Sequence, residues 1–535
     1  MKRIDARALH GWLDDGRELA ILDAREEGEF GTGHLFWAVP CPLSKCELRV
    51  RALLPCATAR IVCVDDGRGV AERLAAYLEG TGFSEVAVLD RGTAAWASAG
   101  FVLFSGVNVP SKAFGEWVEH HFGTESVDAP ELKSWIDSGR NMVVLDSRTA
   151  EEFTRMSIPT GISVPGGELA YRIGDIAPDP KTLIVVNCAG RTRSILGAES
   201  LRRAGLPNQV VALRNGTMGW ELAGLRCERG RTERYNPGTP KSAALALQRA
   251  KVFAEQSGVG VIGAIDLARF EDDPDRTLYV LDVRDPAEFR AGHRPGSRSA
   301  PGGQLVQATD QWIAVRGARI VLLDDTGVRA RMAGAWLRQM GHRDVFVVEG
   351  GLDEVRESGT AVVPVPELRA KVPLIDVLGL THLLDAGDRT VVVDLGRSID
   401  FREGHIPGAH WGIRTRLDQL GGLLAGAHHV VLTSPDGVLA RLAVREVESL
   451  TDAEIRVLEG GTEAWHAFGR PLVKDKSNPP DDACVDFYLR PYDRNTGVEQ
   501  AMQAYLSWEI DLVREIARDG TIHFGVGHLG VGDAA

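Results

Sequence analysis

No stretch of the 535-residue chain reaches the ~18 uncharged apolar residues of a membrane span, and its start, Met1 to Arg7, lacks the apolar core of a secretion signal. Both absences point to a cytoplasmic protein with no membrane partner. Positive charge is short too: 61 Lys and Arg against 74 Asp and Glu leave a net charge of −13. That balance argues against nucleic acid as the principal partner and against an anionic lipid surface. Cysteine is sparse. The seven cysteines show no paired metal-type spacing, and four of them (Cys41, Cys46, Cys56, Cys63) crowd near the start, so neither a disulfide framework nor a metal site is expected. Cys63, inside Ile61-Val62-Cys63-Val64, reads as a small buried hydrophobe.

What the chain does have is repetition. Four apolar runs end in Asp-x-Arg or Asp-x-x-Arg: Asp23-Ala24-Arg25, Asp146-Ser147-Arg148, Asp282-Val283-Arg284 and Asp394-Leu395-Gly396-Arg397. A second apolar run then opens into a short glycine-containing loop at Asp65, Cys188, Asp324 and Ser434, 42 residues after the aspartate in three cases and 40 in the fourth. Spacing held that closely marks one folding unit used four times, which suits this length at roughly 100 to 200 residues per domain. The expected units are 1–105, 127–230, 259–365 and 372–475, with linker helices in 106–126 and 231–258 and a helical tail in 476–535.

The second unit illustrates the pattern. Pro130 to Ile136 is an amphipathic helix, Met142 to Leu145 a strand, Leu183 to Asn187 a β-branched buried strand, Ser194 to Leu201 a helix, and Gln209 to Leu213 another strand. Strands alternating with helices specify an α/β fold: a small parallel sheet with helices on both faces. The loop just beyond a central strand, at the mouth of a helix, is where such sheets place their chemistry. Between units, Phe114, Trp117 and Val118 form a packing face. Asn236-Pro237-Gly238-Thr239-Pro240 opens a linker helix bearing Ala243, Leu247, Ala250 and Ala254, expected to divide the chain into two halves. The tail's stripe of Met502, Tyr505, Leu506, Trp508, Leu512, Val513 and Ile516 suits packing between units, with a homodimer contact as its alternative use.

Three elements recur in order. The opening motif reads Asp23…Glu29-Phe30…Gly33-His34, Asp282…Glu288-Phe289…Gly292-His293 and Asp394…Phe401…Gly404-His405, with Ser157 replacing the histidine in the second unit. The closing motif reads Asp90-Arg91-Gly92…Trp96, Arg214-Asn215-Gly216…Trp220 and Glu459-Gly460-Gly461…Trp465, with Glu349-Gly350-Gly351…Val355 in the third unit. With the loops, this set resembles the rhodanese family of sulfurtransferases, here as a tandem of four rhodanese-like domains in which only the second carries the cysteine. The resemblance implies sulfur transfer through a cysteine persulfide, with no cofactor. The histidine, absent from the cysteine-bearing unit, is expected to be a structural turn residue.

The chemistry turns on Cys188. Thiolate is the nucleophilic form, and backbone amides at a helix amino terminus favour it. Residues Ala189, Gly190, Arg191, Thr192, Arg193 and Ser194 are expected to cradle the sulfur and an anionic donor, with Arg155 and, more weakly, Arg172 at the pocket mouth. Asp146 and Arg148 recur in units without the cysteine and read as a structural ion pair. Asp65 and Asp324 place a carboxylate, which cannot carry sulfane sulfur, where the thiol would sit. Ser434 has no base nearby to activate it. These three units are expected to serve packing, docking or regulation.

The partners expected are a small anionic sulfur donor and a thiol or cyanide-like acceptor. Thiosulfate should be preferred over 3-mercaptopyruvate, because Arg191 and Arg193 suit a compact dianion and its sulfite leaving group. In tandem relatives an arginine before the aromatic of the opening motif helps hold mercaptopyruvate. Here Glu152 stands there and should repel it. Two other functions fit the residues less well. One is a cysteine-dependent phosphatase, whose loop needs an arginine six after the cysteine, whereas Arg193 comes five after Cys188. The other is a non-catalytic sulfur-relay or scaffold protein working with a partner enzyme of thiol metabolism.

Overall fold

The computed structural model describes residues 1–236, 238–350, 352, 357–361, 364–369, 371–387 and 389–525. Pro237, Gly351 and Val355, named above, lie outside them. Four sheets follow in chain order. The second is typical: strands Ser126–Val127, Val210–Leu213, Leu183–Asn187, Met142–Asp146 and Ile162–Ser163 lie side by side in that order, all parallel. Each middle strand is a β-branched run buried on both faces, as a helix-covered parallel strand must be.

Register repeats from sheet to sheet. Asp23 pairs with Val64, Asp146 with Asn187, Asp282 with Leu323 and Asp394 with Thr433. In every unit the aspartate therefore ends the strand beside the one that feeds the loop. In the first three units the arginine two residues on turns back and grips that aspartate with two nitrogens, at 2.6–3.0 Å for the Nε and Nη2 pairs. Both partners are buried, so the bidentate geometry offsets the cost of desolvating them. The extra residue in the fourth unit breaks the pairing: Arg397 reaches Asp400 instead, and Asp394 accepts from the Gly396 amide at 2.8 Å.

The three histidines of the opening motif are buried and stacked on Phe30, Phe289 and Phe401, with ring centres 3.8–3.9 Å apart. Nδ1 of each bonds a nearby carbonyl, at Leu35, Phe289 and Phe401. Burial holds His34 down to about 4. These rings therefore brace a turn.

The units interlock, contrary to the expectation of two separable halves. A strand of the third unit, Val315–Arg316, adds antiparallel to Leu19–Asp23 in the first sheet. One continuous core joins the first three units, including Leu22, Phe114, Ile195, Phe253 and Trp336. The second linker helix, Pro240–Gln256, packs against Leu169–Ile176 of the second unit and Val328–Gln339 of the third, and so cements the halves together. Between those units the backbones nearly touch: a Cβ on Gly167 would lie 2.8 Å from the Gly303 nitrogen, so only glycine fits.

The tail helix, Val498–Asp519, runs along the first linker helix, Val109–Phe122. Its stripe residues Met502, Leu506, Leu512 and Ile516 are buried within the chain, which leaves little of the stripe for the dimer contact considered above. Among the described residues no helix is long and apolar enough to cross a membrane.

Candidate active site

Leu183–Asn187 delivers Cys188 to the middle of the second sheet's carboxyl edge, and the helix Thr192–Arg203 starts four residues later. Gly216 of the closing motif locks this loop. It adopts φ +54°, and a Cβ there would sit 2.2 Å from the Cys188 carbonyl oxygen, while the next amide, Thr217, donates to that oxygen at 2.8 Å. Gly92 and Gly461 meet Asp65 and Ser434 in the same way, each with a Cβ clash at 2.1 Å. The closing glycine is therefore required by close backbone approach.

Cys188 is 2 % exposed. Its Sγ lies 3.5 Å from the Ser194 Oγ, which itself donates to the Arg191 carbonyl at 2.8 Å. Burial pushes the thiol above its ordinary pKa; Arg193 and the side chain and amide of Ser194 pull it back, and Glu509 pushes it up again. A free thiolate at neutral pH, expected from the loop amides, is therefore opposed by desolvation. The two arginines also differ from expectation, because neither is free. Arg191 is buried and held by Glu116, at 2.7 and 2.8 Å, and by Glu119. Arg193 is held by both oxygens of Glu152 at 2.7 and 2.8 Å. Burial would raise the pKa of Glu152, but Arg193 outweighs it and keeps the carboxyl well below the usual range. Glu152 is thus neutralised and not a bare repulsive charge.

The other loop residues sort as follows. Ala189 and Arg193 line a cavity of about 150 Å3 beside the loop, together with Arg155, whereas Cys188 is buried and not among its lining residues. Gly190 is covered by the tail, since a Cβ there would lie 3.0 Å from a Glu509 oxygen. Thr192 packs against Gly115 of the first linker helix and donates to Glu509 at 3.3 Å. Arg155 is exposed and reaches Asp493 at 3.4 Å. Arg172 does not line this cavity and is buried against Glu168 at 2.9 Å, a carboxylate that also receives Arg329 of the third unit. Asp146 and Arg148 form the buried pair described above, and Arg148 also borders the cavity.

Sequence reasoning missed the residues that enclose this site from outside the unit: Lys112, Glu116 and Glu119 from the first linker, and Tyr488, Arg490 and Tyr505 from the tail. Lys112 bonds Glu509 at 2.9 Å and Tyr505, tying linker to tail beside the loop. Glu116 and Glu119 stand three apart on one helix, which marks an acidic face but not its partner.

The other loops show what the cradle holds. Asp65 turns its carboxylate inward and accepts from the amides of Gly67 and Val70 at 2.8 Å and Ala71 at 3.2 Å. Asp324 accepts from Gly327 at 2.8 Å and Arg329 at 3.0 Å. The Ser434 hydroxyl accepts only a long bond, 3.4 Å, from Ala440. These loops therefore turn amides toward an acceptor carried by the first residue. Among the described residues no cluster of three or more His, Cys, Asp or Glu side chains is arranged to hold a metal ion.

Comparison with known proteins agrees with this geometry. The rhodanese-like domain profile matches residues 5–99, 128–223 and 266–358. This chain belongs to the rhodanese family. A crystal structure of thiosulfate sulfurtransferase from Pseudomonas aeruginosa is 44% identical, with a TM-score of 0.92 over 99% of this chain and 100% of that one. The tRNA uridine(34) hydroxylases of Erwinia tasmaniensis and Escherichia coli are each 30% identical over 117 residues, 20% of this chain. The match spans 33% of each hydroxylase's length.

Proposed function

We propose that this chain is a rhodanese-type sulfurtransferase that moves sulfane sulfur from thiosulfate, or a related anionic or persulfide donor, to a thiophilic acceptor through Cys188. The observation that carries this reading is the contrast among four equivalent loops. Two hold a built-in carboxylate on their amides, one holds a hydroxyl, and one holds a thiol, the only side chain of the four that can accept and release sulfur. The full-length likeness to a thiosulfate sulfurtransferase supports the same conclusion.

In the first step the Cys188 thiolate attacks the outer sulfur of thiosulfate. A new S–S bond forms, the old one breaks, and sulfite leaves with its electron pair. The persulfide is an anion, and the loop amides that bind carboxylates in the sister loops suit its charge. In the second step a thiophile, such as a thiolate or cyanide, attacks the outer sulfur and restores the Cys188 thiolate. Ser194, Arg193 and the loop backbone serve as anion stabilisers. Asp146 with Arg148 holds the neighbouring strand end.

A relay or scaffold role is separated from this by turnover of the isolated chain. Replacement Cys188→Ala should lower thiosulfate-dependent turnover by more than about a hundredfold with an unchanged melting transition, because Gly216 and Thr217 hold the backbone of residue 188 and not its side chain. Retained turnover in that variant overturns the assignment.

A further inference from the structure

Arg193 acts on the Cys188 sulfur, but both loop arginines are already paired with Glu116, Glu119 and Glu152, so neither offers the donor an unpaired countercharge. The cavity beside the loop is walled by four regions: the second unit, the first linker, Gln304 and Gln307 of the third unit, and the tail segment around residues 488–505. Its charged side chains can be paired off. Arg148 is bound to Asp146, Arg193 to Glu152, Arg155 to Asp493, and Lys112 to Glu509. Arg490 forms no ion pair among the described residues. It is exposed at the cavity wall, 6.0 Å over the Phe487 ring, and its backbone caps the short turn Pro491–Asp493, where the Asp493 amide donates to the Arg490 carbonyl at 3.0 Å. The proline fixes that turn, so the guanidinium is presented from a defined base. Its positive charge also reaches Glu152, Tyr488 and Tyr505 across the cavity.

We propose that Arg490, supplied by the C-terminal tail from outside any rhodanese-like unit, is the specificity-determining cation that holds the anionic end of the sulfur donor next to the Cys188 loop. This rests on the sulfurtransferase reading of Cys188. The guanidinium acts on donor binding through charge and fork-shaped hydrogen bonding to an oxyanion group. It forms no bond to the transferred sulfur. The arrangement gives the tail a role in donor choice that its helical packing alone does not suggest, and it makes the donor pocket a product of four segments far apart in sequence.

The test uses the full chain and thiosulfate. Wild-type protein exposed to thiosulfate is first checked by mass for sulfur on the Cys188 peptide, and steady-state kinetics follow for the wild type and variants. Arg490→Ala should raise KM for thiosulfate about tenfold while kcat stays within about threefold, and Arg490→Lys should fall between. The wild-type KM should rise with ionic strength, and that dependence should weaken in Arg490→Ala. Arg514→Ala, which removes an exposed arginine elsewhere on the tail helix, should leave KM unchanged. A KM within about twofold of wild type in Arg490→Ala, or an equal rise in Arg514→Ala, overturns the proposal while leaving the sulfurtransferase reading intact. Absence of sulfur on wild-type Cys188 overturns both.

Discussion

The loops at residues 65–70 and 188–193 stand at the same place in their units, between a buried strand and a helix, and put it to opposite uses. In the first, Asp65 fills the amide cradle with its own carboxyl oxygens, and Arg68 lies half exposed on Asp66 and Glu29. In the second, the cradle receives a thiol whose charge comes and goes, and Arg191, at the position matching Arg68, is buried on Glu116 and Glu119. Under the proposed sulfur transfer the site alternates between thiolate and persulfide, so its own charge does not hold the loop in place. Here the clamp comes from outside the loop, from the linker helix.

The comparison is broken most forcefully through the two matching arginines. Removing one partner of a buried pair leaves an uncompensated charge, so Arg191→Ala should lower unfolding free energy by about 3 to 5 kcal/mol, and Glu116→Gln should act in the same direction. Arg68→Ala, at an exposed pair, should cost no more than about 1 kcal/mol. Denaturant unfolding of the variants checks this; equal costs would mean the linker clamp is not what distinguishes the loops. Sequence alone assigns Arg191 to donor binding, with a loss of kcat/KM as the effect of its removal. The structure moves that expected effect to stability.

A second effect concerns pH. Burial leads the shift that raises the Cys188 thiol above its ordinary value, so the neutral thiol dominates at pH 7. The thiolate fraction then grows about tenfold per pH unit until the raised pKa is reached. The rate of sulfur uptake from thiosulfate should accordingly climb from pH 7 through pH 9, as followed by single-turnover sulfite release. A flat profile would mean that the loop amides and Arg193 already outweigh burial.

The smallest effect sharpens the contrast between the cradles. Asp65→Cys puts a thiol on the same amides but beside Asp66. Burial pushes the Asp66 carboxyl up, yet Arg68 and Arg25 outweigh it and hold the group ionised, below its ordinary value. Like charge disfavours a thiolate there. Asp65 and Cys188 are each 2 % exposed, so access to the two positions is matched. Iodoacetamide at neutral pH should therefore label the introduced thiol several-fold more slowly than Cys188. Equal rates would show that the amides dominate and the neighbouring charge does not matter.

How much of this is legible in the sequence follows from the range of the interactions. The aspartate, loop and closing glycine recur at fixed spacing because each unit's sheet register demands it, and so the fold can be read from the chain. The buried Asp146 and Arg148 pair can be read too, since its partners are two residues apart. Nothing local marks Glu116 as the partner of Arg191, 75 residues on, or Glu509 as the cover for Gly190. The strand Val315–Arg316 has only two residues, too few to show a period, and its partner lies in another unit. Tertiary charge pairing and docking between units leave no periodic trace. That is why the loop reads as open and basic in the sequence when it is enclosed and neutralised in the fold.

The central claim is that one of four matching loops carries sulfur, and mass spectrometry tests it most directly. Protein reduced, treated with thiosulfate, digested without reductant and compared with the untreated chain should gain about 32 Da, one sulfur atom, on the peptide containing Cys188, with Cys41, Cys46, Cys56, Cys63, Cys227 and Cys484 unmodified. The gain should vanish on adding cyanide or a thiol acceptor. Sulfur on another cysteine with Cys188 unmodified, or a gain at Cys188 that no acceptor removes, would contradict the account.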